Sequence, residues 1–79
     1  MHYSDGNEAM IGDRIAIDGK YRGVVVACID RDEYSAEYPK EHWSHLGRGM
    51  LVDTDFGSLV HYENSNDEHF LLIVRADKV

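Results

Sequence analysis

The chain has 79 residues, with fifteen Asp or Glu against eight Lys or Arg, a formal charge of −7, and 43% apolar residues. The apolar share is too large and too evenly spread for a disordered chain, and no apolar run reaches the roughly 18–20 residues of a membrane-spanning helix. The opening Met1-His2-Tyr3-Ser4-Asp5-Gly6 lacks the basic and apolar regions of a secretory signal, and the length suits one domain, so residues 1–79 are expected to form a single unit.

Residues 1–11 show weak periodicity and are expected to form a loosely docked arm. A β rhythm begins at Arg14-Ile15-Ala16-Ile17, with β-branched residues at 15 and 17. Asp18-Gly19-Lys20 reads as a hairpin turn, because Asp-Gly supplies the positive φ such turns require. Tyr21 to Ile29 is the longest apolar run. Gly23 marks a bulge or a close backbone approach, and Val24 to Ile29 lacks alternation, as in a central strand covered at least partly on both faces.

Residues 30–47 interrupt this rhythm. Asp30-Arg31-Asp32-Glu33 is charged, and Tyr38 before Pro39 should be extended. Pro39 can open a short helix over about 39–46, which Gly47 stops. Trp43 and Leu46, three apart, would fix that helix to the sheet. Strands resume at Gly49-Met50-Leu51-Val52-Asp53-Thr54, at Ser58-Leu59-Val60-His61-Tyr62 and at His69-Phe70-Leu71-Leu72-Ile73-Val74. Asp55-Phe56-Gly57 is a tight turn and 64–68 a polar loop. The expected fold class is therefore mainly all-β. Five strands are expected to form a small closed or partly closed antiparallel barrel, because so short a chain has little core to spare, with a helical insertion between the second and third strands.

Charge narrows the partners. The basic residues are scattered, with only Lys20 and Arg22 close together, so no stripe for phosphate backbones or anionic membranes can be read. Neither nucleic acid nor membrane is expected; an acidic surface instead favours a basic protein partner. The lone cysteine, Cys28, lies within an apolar strand and reads as a small buried hydrophobe rather than a reactive thiol. A small domain without disulfides suggests a reducing compartment, the cytoplasm.

The stretch Gly12-Asp13-Arg14-Ile15, Gly19 and Gly23-Val24-Val25-Val26 resembles the opening hairpin of SH3-like barrel domains, including KOW-type ones. The layout of Trp43, Gly49-Met50-Leu51-Val52-Asp53 and Gly57-Ser58-Leu59-Val60-His61-Tyr62 is similar to that of CAP-Gly domains, which share this barrel. The Gly-Lys-Asn-Asp-Gly loop with which those domains read acidic C-terminal peptides is replaced by Asp55-Phe56-Gly57, so that activity is not implied. Residues 12–62 also resemble a set of short bacterial proteins with no activity attached to them. The resemblance implies a fold rather than a function.

No constellation of catalytic residues emerges. His42 and His45 share one face of the proposed helix, but a zinc site needs a third ligand, which only His61 or Asp53 could supply through the fold. Asp30, Asp32 and Glu41 mimic calcium-loop spacing, yet Tyr34 and Ser35 occupy positions that need an oxygen ligand and a glycine. Ser44 and His45 are adjacent and so point about 100° apart on a helix. No Gly-rich phosphate loop is present. The expectation is a non-enzymatic protein with no metal and no cofactor.

Two readings of the insertion remain. In the first, Asp30, Asp32 and Glu33 steer a basic partner onto Tyr34, Tyr38 and Trp43, as in a small bacterial inhibitor or immunity protein. In the second, the chain is an SH3-like peptide- or ligand-binding domain, or an assembly subunit, and its acidity is incidental. The rings of Tyr34, Tyr38 and Trp43 serve a partner only if they are not used to complete a thin core.

Overall fold

The computed structural model describes residues 1–64 and 68–76, and in it the alternating segments pair as one antiparallel sheet. The strands are β1 (Arg14–Ile17), β2 (Tyr21–Cys28), β3 (Glu33–Tyr34), β4 (Met50–Thr54), β5 (Leu59–Tyr62) and β6 (Phe70–Val74). Their order is β5-β4-β2-β1-β6, and β3 adds to β2 beyond the end of β1. One short helix, α1 (Lys40–Trp43), runs into a 3-10 turn over Ser44–Leu46. Among the described residues no helix is long and apolar enough to cross a membrane.

The first hairpin follows from its turn. Asp18 and Gly19 both adopt positive φ, 54° and 69°, and set Ile17 opposite Tyr21. Ile15 and Ile17 then point to the core while Arg14 and Ala16 face outward. In β2, Val25 pairs with Val52 and Ala27 with Leu51, so Val26 is an extra, bulged residue. That bulge accounts for the missing alternation: Val25 and Cys28 enter one apolar cluster, whereas Val26 and Ala27 belong to another on the opposite face. Gly23 is a close approach rather than the bulge, since a Cβ there would overlap Val52 Cγ1.

The first cluster is the main core, formed by Tyr3, Ala9, Ile15, Ile17, Val25, Cys28, Met50, Val52 and Phe70. The second lies beneath the insertion: Ala27, Ile29 and Leu51 are covered by Tyr34, Trp43, Leu46 and Leu59. Among the described residues, five of the six strands match the expected ones to within a residue or two at each end. The sheet is not closed, since no ladder joins its outer strands β5 and β6 among the described residues.

The arm corrects an expectation. Residues 1–11 are not loosely docked: Tyr3 is 3% exposed and Ala9 1%. Ser4 N–H donates to Phe70 O at 2.9 Å, Phe70 N–H to Ser4 Oγ at 3.0 Å, and Leu72 N–H to Asp5 Oδ2 at 3.0 Å. The arm thus satisfies backbone groups along an outer strand that would otherwise invite pairing with another chain. The anchors are isolated residues separated by polar ones, which explains why no periodic signal reveals them.

Candidate functional site

The insertion folds as a cover whose Asp30–Glu33 run is paired within the chain. Asp30 lies in a 3-10 turn over Ile29–Arg31; it accepts from Gly49 N–H at 3.0 Å and its Oδ2 is 3.1 Å from the Met1 ammonium. Partial burial raises its pKa, but these two contacts outweigh that and hold the carboxyl below its ordinary value. Arg31 bridges Glu8 at 2.8 Å and Glu33 at 3.2 Å. Asp32, at a left-handed φ of 56°, accepts from Lys40 Nζ at 2.9 Å. The run Asp30-Arg31-Asp32-Glu33 therefore clamps the arm, β3 and the start of α1.

The rings of the insertion are likewise occupied. Tyr34 and Trp43 are half-buried against the second cluster, and half-buried Tyr38 tilts onto Trp43 with ring centres 6.0 Å apart. Trp43 also stacks on His45, 6.5 Å away. All six predicted site residues are thus in one region, and each is engaged by other residues of the chain. Phe56 lies away from them, packed edge-on against Tyr21 at 4.8 Å, and both rings are exposed. Among the described residues no group of three or more His, Cys, Asp or Glu gathers as metal ligands. Burial pushes the Cys28 thiol up to about 12, with Glu33 and Asp13 adding to the effect, and this leaves no nucleophilic thiolate near neutral pH.

The surface with unfulfilled contacts lies beside the insertion, on the same face of the sheet. The insertion covers Val26, Ala27 and Leu51 at one end of that face and stops short of the other. There a groove of about 440 Å³ is lined by Arg14, Arg22, Val24, Asp53, Asp55 and Ile73. Register places Asp53, Val24, Arg14 and Val74 in one row across β4, β2, β1 and β6. The next row holds Arg22, Ala16 and Leu71. Ile73 is an extra residue, because Leu72 pairs with Ile15 and Val74 with Arg14. Leu71, Val74 and Ile73 are 39%, 41% and 52% exposed.

The outward set was partly legible. Arg14 and Ala16 alternate with Ile15 and Ile17, which marks them as facing away from the core. An aromatic at the tip of a tight turn, Phe56, is another signal of exposure. No local pattern shows that the insertion ends before reaching Val24, since this depends on where Trp43 and Leu46 land.

No protein-family model matches this chain, and no curated protein or solved structure compared with it shows a significant likeness.

Proposed function

We propose that the chain is a non-enzymatic protein-binding module that uses the open half of the sheet face bordered by β4 and β6. The observation that carries this reading is the exposure of Leu71, Ile73 and Val74 beside a groove; among the described residues the other exposed large apolar groups, Tyr21 and Phe56, pack on each other. Contiguous apolar surface rimmed by polar residues marks an interaction site more often than it marks idle surface. The strand sequence and hairpin turns support an SH3-like arrangement, in which the β6 edge is protected by the arm. A buried, unpaired Cys28 suits a reducing, cytoplasmic setting.

Of the two readings of the acidic charge, the incidental one has more support. Asp30, Asp32 and Glu33 each hold a cation of the same chain, so an inhibitor that steers a basic partner with them would have to break these pairs. The test is quantitative capture from a lysate of the source cells with three baits. The reading predicts a protein retained by the natural chain and by Tyr38→Ala, and lost with Leu71→Asp/Ile73→Asp at unchanged melting temperature. Retention by the Leu71→Asp/Ile73→Asp bait contradicts it.

A further inference from the structure

We propose that the groove takes an extended segment of a partner protein bearing one carboxylate two residues from an aliphatic side chain, with Arg14 and Arg22 holding the carboxylate. This deepens the reading of the open face as an interface and rests on it.

Charge complementarity identifies the occupant. Among the described cations, Arg31, Lys40, Arg48 and Arg75 each bind a carboxylate of the chain. Arg14, Lys20 and Arg22 form no such pair, although acids outnumber bases by fifteen to eight. Arg22 makes one weak contact, from Nη1 to Tyr21 O at 3.3 Å. Arg14 stands opposite Val24, so Arg22 is its diagonal neighbour on the same face. Diagonal side chains on adjacent strands start about 7–8 Å apart, a span that two guanidinium groups can close around one carboxylate.

The remaining lining sets the rest of the ligand. Val24 and Ile73 supply an apolar floor, which suits an aliphatic side chain. Asp53 and Asp55 stand on the β4 side of the same groove and repel a polyacidic ligand. They select against a run of acids and against a phosphate backbone, and leave room for a basic residue beyond the carboxylate. In an extended segment, alternate side chains point the same way about every 6.6–6.8 Å, so one can meet the arginines while the next on that side reaches the floor. The groove's volume lies within the ordinary range of ligand sites, about 300–1,000 Å³.

The test is selection of a displayed random decapeptide library on the whole chain, followed by fluorescence-anisotropy titration of the enriched peptides. The expected result is enrichment of sequences with one Asp or Glu two residues from a Leu, Ile or Val. Binding should weaken at least about tenfold in Arg14→Glu and in Arg22→Glu, and remain unchanged in Glu37→Lys. Melting temperatures should match, because neither arginine supports the fold. Enriched peptides that lack an acid and lose binding only in Ile73→Asp overturn the carboxylate while leaving the interface. Peptides insensitive to both arginines and to Ile73 overturn both, as does failure to enrich any. Equal competition by a twenty-nucleotide oligothymidylate, or concentration-dependent self-association abolished by Ile73→Asp, overturns the peptide proposal in favour of nucleic acid or of a second copy.

Discussion

Asp13 is fully buried and ties together three segments far apart in sequence. Its Oδ2 accepts from Tyr3 O–H at 2.6 Å and Met10 N–H at 3.0 Å, and lies 3.4 Å from Arg75 Nη1. Tyr3→Phe removes one of these donors from a buried carboxylate, and urea denaturation should show a loss of about 1–3 kcal/mol. Burial, reinforced by Asp13, pushes the Tyr3 hydroxyl well above its ordinary range, and the Cys28 thiol also rises. Both groups stay protonated in the fold while the unfolded chain ionises, so their contribution is complete below about pH 9 and is lost as pH rises. Stability should fall from pH 9 upward by at most about 1.4 kcal/mol per pH unit from each group, and Cys28→Ala should delay the onset towards pH 10. Gly49 has φ of 91°, and a Cβ there would overlap Tyr62 O. Gly49→Ala should therefore cost about 2–4 kcal/mol in the same denaturation experiment. These roles are not visible locally: Gly12-Asp13-Arg14 reads as the approach to a strand, and the side-chain partners of Asp13 lie ten and sixty-two residues away.

The elements themselves were largely written in the alternation and the turns. Ile15 and Ile17, the Asp18-Gly19 turn and the Met50–Thr54 run place the main strands without tertiary information. Strand β3 was not legible, since two residues carry no period and Glu33-Tyr34 pairs only because β2 extends past β1. Helix α1 is four residues long, too short to persist by propensity, and is held by the packing of Trp43 and Leu46. Trp43→Ala should thus destabilise the chain by about 2 kcal/mol, the ring being half-buried rather than fully enclosed. Hydrogen exchange should show lost protection at the His42 and Gly47 amides, while Val25 and Val52 in the central strands keep theirs. Equal loss across all these amides would mean that the insertion and the sheet unfold as one unit. The exposed pairs Lys40–Asp32 and Arg48–Glu63 add little on their own, as surface ion pairs do.

Across the whole molecule, the insertion and the open groove divide one sheet face between them. Trp43 and Leu46 shield Val26 and Leu51, and the surface from Val24 to Ile73 is left over. The six expected binding residues fall in the insertion because rings and acids cluster there; packing turns Tyr34 and Trp43 onto the second apolar cluster, tilts Tyr38 onto Trp43 and pairs three of the acids internally. On the proposed reading the −7 charge describes the surface as a whole, and the informative charges are the two unpaired arginines. The central claim is that partners meet this open face. Its most direct test is an amide NMR map of the natural chain titrated with the captured protein or an enriched peptide. Shift changes should concentrate at 14–16, 22–24, 53–55 and 71–74, with residues 30–46 unmoved. Changes concentrated at Asp30–Trp43, with Arg14, Arg22 and Ile73 unmoved, would contradict the account.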